Sequence, residues 1–495
     1  MSTDLTNLEH HAPTGSRRWT WAICIGGSVA MALVLGAALL SEQKQAHHTQ
    51  APDGWIIGTL PFVLILGAIA LLPLIPKTAG WWHSNLSRFL VSVVCSLATV
   101  AYLWIVNGWH SVGVMLDHAV LQEYVPFITL LFALYVISGG IHISGDMRAN
   151  PLVNTGWLAL GAGIASFIGT TGASMLLIRP LLNTNRERTH KVHTVVMFIF
   201  LVSNIGGTLL PIGDPPLFLG YLEGVPFGWT FGLWIEWLVA CTILLAIYFV
   251  WDTVMYAKEP PAVKVFDKAN VQPLGLQGGI NILWLGGVVV CVAFISPGQP
   301  VPGTEIIAFD FLRELGMLGL VALSLLTTRR SVRESNRFDY AAIIEVAALF
   351  IGIFIAMQVP LEVLKAQGDS IAAALTETWM YFWITGGLSS MLDNAPTYLV
   401  FFKLAEAGTE PGSEGAMQLL SGGWIMETQL IAISLGAVFM GSMTYIGNGP
   451  NFMVKAIAEQ AGIRMPTFLG YITRYSVPVL VPVFILITVL MMWLH

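Results

Sequence analysis

The chain has 495 residues, 55% of them hydrophobic and only 11% charged, with a mean hydropathy of +0.73. A soluble protein carries about a quarter charged residues, so a water-soluble globule is excluded, and a formal net charge of −6 gives no footing for a nucleic-acid partner. Cys24, Cys95, Cys241 and Cys291 lie far apart in apolar runs without metal-ligand spacing, and read as small apolar side chains inside helices.

A bilayer span takes about 20 apolar residues. In chain order, candidate spans lie near 19–40, 57–75, 88–107, 125–139, 152–178, 194–212, 229–251, 279–296, 311–327, 340–359, 371–402, 428–446 and 475–494. Several are too long or too interrupted for simple spans. The expected fold is therefore an all-α integral membrane protein of about 11–13 transmembrane helices. The first run follows Arg17-Arg18 and is too long for a signal-peptide core, so it reads as an uncleaved helix.

Short loops rich in Lys and Arg face the cytoplasm. Arg17 and Arg18 place the N-terminus inside, as do Lys77 and Arg88 for their loop. Three further inside loops carry Arg186, Arg188 and Lys191, then Lys258, Lys264 and Lys268, then Arg329, Arg330, Arg333 and Arg337. Stretches 108–124, 297–309 and 407–427 contain no Lys or Arg and are expected outside. The expected setting is the plasma (inner) membrane, with multiple passes and a cytoplasmic N-terminus. The expected division is a tail and first helix over 1–56, one repeat over 57–253, a cytoplasmic linker over 254–275 and a second repeat over 276–495.

The repeat shows in a doubled string. Gly207-Thr-Leu-Leu-Pro-Ile-Gly-Asp-Pro-Pro-Leu-Phe218 returns without a gap as Gly441-Ser-Met-Thr-Tyr-Ile-Gly-Asn-Gly-Pro-Asn-Phe452. Helix breakers at matching places in two apolar halves point to a carrier's binding site. A second, weaker pair lies upstream, Ser166-Phe-Ile-Gly-Thr-Thr-Gly-Ala-Ser174 against Ser390-Met-Leu-Asp-Asn-Ala-Pro-Thr-Tyr398. It aligns Thr170 with Asn394 and Arg179 with Lys403. After the first copy comes a basic loop, and after the second an acidic one with Glu410 and Glu414. Equivalent positions thus fall on opposite sides of the membrane, which makes the repeats inverted and the hairpins re-entrant.

Broken helices expose backbone groups that lipid cannot satisfy, so such backbone lines a cavity or is buried in protein. The side chains at these breaks are oxygen-rich: Thr170, Thr171, Asn204, Thr208, Asp214, Asp393, Asn394, Thr397, Asn448 and Asn451, with Gly213 supplying backbone. Hard oxygen ligands suit Na⁺ rather than a transition metal. A candidate Na⁺ site comprises Asp393, Asn394, Asp214, Thr170 and Asn448. A carboxylate at mid-bilayer is costly and normally functional. Burial disfavours its charged form and a bound cation favours it, so such a group can exchange H⁺ for a cation. Two readings are open for each aspartate: a cation ligand, or a residue that caps a turn or helix. Asp393 reads as the main exchangeable carboxylate and Asp214 as the second. Arg179 and Lys403 read as snorkelling structural cations. Glu345 and Glu236 read as proton-path members or packing ion pairs, and His142 as a satisfied, partly exposed histidine.

The strings Ser203-Asn-Ile-Gly-Gly-Thr-Leu-Leu-Pro-Ile-Gly-Asp-Pro-Pro216 and Asp393-Asn-Ala-Pro396 resemble the ion-transporter superfamily of sodium/proton antiporters, arsenite and P-protein carriers, and citrate and dicarboxylate carriers. The resemblance covers most of the chain. It implies a homodimer with a scaffold domain and a moving transport domain whose hairpin tips hold the ion sites. Dicarboxylate carriers of the group carry Ser-Asn-Thr at both tips, where this chain has Gly169-Thr-Thr171 and Asp393-Asn-Ala395. The P-protein type has Asn directly after Pro-Pro, where this chain has Leu217.

The first functional expectation is a sodium/proton antiporter working by elevator-like alternating access. The alternative is a Na⁺- or H⁺-coupled citrate or organic-anion carrier. An intramembrane enzyme or a channel finds no motif in its favour. Expected partners are the bilayer, small ions and a small carboxylate, with no cofactor beyond Na⁺ and H⁺.

Overall fold

The computed structural model describes residues 54–495 except Leu74, His83, Ile306, Ala373 and Ala374. The first expected span, its orienting arginines and Cys24 lie outside the described residues. The described chain is mostly helical, with two small two-stranded sheets among its connections. Among the described residues, six helical segments are long and apolar enough to cross a membrane. The protein is an all-α membrane protein.

Eight helices position the site, four from each half. In the first half they are α1 (Pro151–Ile168), α2 (Thr170–Thr184), α3 (Val192–Leu201) and α4 (Pro215–Leu222). In the second they are α5 (Thr378–Ser389), α6 (Asn394–Ala407), α7 (Glu427–Met440) and α8 (Gly449–Gln460). A 3₁₀ turn follows α3 at Ile205–Leu209 and α7 at Gly441–Met443, and each half closes with a long helix, Trp234–Ala257 and Val477–Leu494. The two halves thus repeat one order of elements.

The local sequence explains each interruption. The expected spans 152–178 and 371–402 are not continuous. Gly169 stops α1 at φ 76°, a conformation that costs other residues a Cβ clash, and α2 starts at once. Asn150 caps α1 by accepting from Val153 N at 3.0 Å, with Pro151 in the first turn. Pro215-Pro216 opens α4 and Pro450 opens α8, where a missing N–H costs nothing. Residues 210–214 and 444–448 are non-helical, as their Gly and Pro content predicts.

Asn154 in the first turn of α1 and Asn185 after α2 exchange amide hydrogen bonds of 2.9 and 2.8 Å. Both ends of this hairpin therefore lie on one side, which defines a re-entrant loop. The loop after α6 instead meets the end of α4, through Leu420 N to Gly224 O (2.8 Å) and Trp229 Nε1 to Glu427 Oε1 (3.0 Å). On the opposite side, Asn183 and Lys191 share a cavity with Gln460 at the end of α8 and Ile463 beyond it. The broken pairs α3–α4 and α7–α8 consequently run in opposite directions, and the hairpins enter from opposite ends.

Two sequence expectations change. Residues 108–124, expected as an external loop, are helical: Gly108 at φ 81° kinks Asn85–Leu116 instead of ending it, and a π-helical turn follows at Asp117–Tyr124. Residues 254–275, expected as a linker, hold a helix over Pro261–Ala269. They continue into β2 (Gln272–Gln277), which pairs antiparallel with β1 (His142–Asp146) of the first half. Asp267 fastens this segment by accepting from Ala149 N at 3.1 Å. Segment Val192–Leu209 is buried over 94% of its most apolar window, so the first broken helix runs through the centre of the molecule.

Candidate functional site

Asp214 is the N-cap residue of α4, yet its carboxylate makes no cap bond. Its two oxygens face the other chain breaks. Thr170, the first residue of α2, donates Oγ1–H to Asp214 Oδ1 at 2.8 Å. Asn448, the N-cap of α8, donates to the same oxygen at 3.0 Å. Asn394, the first residue of α6, donates to Oδ2 at 2.6 Å. One carboxylate, 1% exposed, thus joins all four broken tips. Hydrogen bonds to a charged group stabilise by about 1.5–3 kcal/mol each, and they work against the cost of burying the charge.

The pseudo-symmetry is visible in this set. Thr170 and Asn394 open the second helix of their hairpins, and Asp214 and Asn448 cap the second segment of their broken helices. The glycines let the backbones cross. A Cβ on Gly213 would strike Gly207 O and stand 2.9 Å from Ser166 Cα; one on Gly447 would meet Gly441 O at 2.6 Å and Ser389 O at 2.9 Å. Gly213 O also accepts from Thr170 N at 2.8 Å.

Behind the carboxylate lies an amide strut. Asn204 donates to Asn451 Oδ1 at 2.7 Å and to Ile199 O at 2.8 Å, and Asn451 donates to Gly441 O (2.8 Å) and Thr444 O (2.9 Å). Asn448 reaches this strut through Asn204 Oδ1 and Ser203 O, both at 3.2 Å. Ser203 also shares a 2.8 Å hydroxyl contact with Ser174. One ligand-competent atom stands apart: Asn394 Oδ1 is buried with no hydrogen-bond partner, although Asn394 is fully buried. An orphaned carbonyl oxygen beside a carboxylate matches what a hard cation takes.

A cavity of about 190 Å³ borders these tips, walled by Gly169, Thr170, Thr171, Gly213, Asn448 and Asp393. Opposite stands Arg88, whose Nη1 pairs with Glu345 Oε2 at 2.6 Å. Glu345 thus forms the packing ion pair, and Arg88 enters the cavity wall as a residue read from sequence only as a loop flank.

The remaining expected residues are placed more locally. Asp393 caps α6, Oδ1 accepting from Ala395 N at 3.3 Å, and its carboxylate stays out of the Asp214 cluster. The geometry therefore centres on Asp214 where the sequence ranked Asp393 first. Thr397 donates to Asp393 O at 3.0 Å and Thr208 to Ile205 O at 2.7 Å, both within single turns. Lys403 pairs with Glu223 and Glu406 at the far end of α6, and Glu236 pairs with His495 at 3.0 Å. His142 contacts Asn336 Oδ1 at 2.7 Å. The ligand atoms of His118, Glu123 and Glu223 lie within 4.8 Å of one another, but Lys403 already neutralises Glu223 there.

Crossed broken helices, two opposed re-entrant hairpins and a buried polar centre beside a cavity define a membrane transporter. The chain belongs to the family described as "Putative citrate transport", whose model matches residues 52–492. It is also similar to uncharacterized transporters of Mycobacterium tuberculosis and Mycobacterium bovis. Each is 25% identical over 328 residues, covering 64% of this chain and 71% of the relative.

Proposed function

We propose that this transporter is a cation-coupled carrier of a small organic anion of the citrate class. Na⁺ or H⁺ is the coupling ion, and Asp214 is the coupling carboxylate. The observation that carries this reading is the convergence of Thr170, Asn394 and Asn448, from three other chain breaks, on Asp214. A cation held there is coordinated by Asp214, the free Asn394 Oδ1 and nearby backbone carbonyls. It offsets the carboxylate's charge and so lowers the cost of an anion entering the adjoining cavity. Family membership supports a citrate-type solute. The helices α2, α4, α6 and α8 all begin at this centre and aim their positive N-terminal ends toward it, which favours a carboxylate.

The hairpins and broken helices form the moving unit, which slides against Asn85–Ser138 and Ala341–Ala356. Either the coupling ion or a proton must neutralise Asp214 before the unit crosses. The working assembly is a homodimer in the bilayer, the N-terminus facing the cytoplasm.

Sodium/proton antiport is the second reading. It is favoured by the cavity wall: among the described residues its one Lys or Arg, Arg88, is already neutralised by Glu345, while Asp393 stands on the same wall. Purified protein in liposomes separates the two. Labelled citrate accumulating under an inward Na⁺ or pH gradient supports the carrier. Na⁺-driven lumenal pH change without citrate uptake supports the antiporter.

A further inference from the structure

A second cavity of about 550 Å³ lies away from the Asp214 centre. Its walls come from five places in the chain: β1 with His142, α2 with Arg179, the following loop with Arg186 and Lys191, Arg337 in the loop before Ala341–Ala356, and the end of α8 with Gln460. Ala461 and Ile463, just past α8, close it. Among the described residues, four cations and a histidine line this space, and no Asp or Glu does so.

The positive charge there is incompletely answered. Arg179 Nε is buried without a hydrogen-bond partner. Arg179 and Arg337 repel each other across the cavity, with Asp339 offsetting only part of this from outside the wall. Arg186 is paired with Glu187 at 2.9 Å, and Lys191 donates to the carbonyls of Asn185 (3.3 Å) and Arg186 (2.9 Å). Arg337 sits at φ 48°, a left-handed conformation unusual for a side-chain-bearing residue. Guanidinium groups are suited to bidentate capture of carboxylate or phosphate oxygens. The cavity adjoins the Lys- and Arg-rich loop 183–193, which places it at the cytoplasmic face.

We propose that this basic cavity is a cytoplasmic-side binding site for a multivalent anion, held between Arg179 and Arg337 with Arg186 and Lys191 at its rim. It deepens the carrier reading, since a polycarboxylate leaving or entering on this side would be concentrated beside the transport centre. The same oxygen-rich chemistry is offered by an anionic lipid headgroup, so the test separates the two sources.

The experiment is calorimetric titration of the full chain in nanodiscs of uncharged lipid, with citrate and, separately, inorganic phosphate. The variants are Arg337→Asn, which keeps a residue tolerant of the left-handed backbone, and Arg179→Lys combined with Arg337→Asn. The expected result is citrate binding that weakens about tenfold in Arg337→Asn, further in the double variant, and steeply with added salt. Phosphate, which the carrier reading does not assign to the Asp214 centre, should show the same dependence on the two arginines, so this outcome stands whether or not citrate proves to be the transported solute. Repetition in discs containing phosphatidylglycerol assigns the source: loss of citrate binding there identifies a headgroup as occupant, and retention identifies a soluble anion. Citrate and phosphate binding that is absent, or indifferent to both arginines, in uncharged and anionic discs alike overturns the proposal.

Discussion

Asp214 has three side-chain donors and no cap bond, while Asp393 has a cap bond and no side-chain donor. The two aspartates should therefore respond differently to the same substitution. Asparagine at 214 turns one acceptor into a donor that faces another donor, and an unmatched buried group costs about 1–3 kcal/mol. Asp214→Asn should lower thermal stability in detergent by that amount and abolish cation-stimulated uptake. Asparagine caps helices as well as aspartate does, so Asp393→Asn should melt within about 0.5 kcal/mol of the parent and change only the ion and pH response of uptake. Equal stability losses for both would contradict the placement. Asp214 was legible as a candidate site residue from its setting in Ile-Gly-Asp-Pro-Pro. Its precedence over Asp393 was not, because that depends on positions 170, 394 and 448 arriving at one point, and no local pattern encodes a tertiary convergence.

At the scale of elements, the chain breaks were the most readable feature. Gly169, Pro215-Pro216 and Pro450 act through local backbone geometry, and each stands where a helix stops or starts. Gly108 obeys the same physics with another result: flanked by apolar helix on both sides, its φ of 81° became a kink. Neither glycine's own neighbours say which outcome applies. The close crossing at Gly213 makes a sharp test. A methyl group there strikes Gly207 O in the 3₁₀ turn of the same broken helix, and forced overpacking costs about 1–3 kcal/mol. Gly213→Ala should therefore destabilise the protein and impair uptake even though no polar ligand is lost. Normal melting and normal uptake would mean that the crossing is looser than the distances say.

For the whole molecule, the opposed directions of α3–α4 and α7–α8 predict which loops share a side. Single cysteines at Arg186 and Ser421, in a background whose native cysteines are replaced, report this directly. An impermeant maleimide should label the cysteine at 186 only in inside-out vesicles and the one at 421 only in right-side-out vesicles. Labelling of both from one side would remove the inversion, and with it the symmetry that relates Thr170 to Asn394. The sequence pointed to inversion through the contrast between the basic loop 183–193 and the acidic 407–427. The clamp of 254–275 onto the first half was not, since strand pairing of β2 with β1 depends on a partner more than a hundred residues away.

The central claim is that one carboxylate, held by the tips of both halves, couples the cation to the solute. Its most direct test is the initial rate of labelled citrate uptake into liposomes containing wild type, Asp214→Asn or Asp393→Asn, measured with and without an inward Na⁺ or pH gradient. The account predicts gradient-stimulated uptake in wild type, retained though altered stimulation in Asp393→Asn, and none in correctly folded Asp214→Asn. Undiminished stimulation in Asp214→Asn would contradict it.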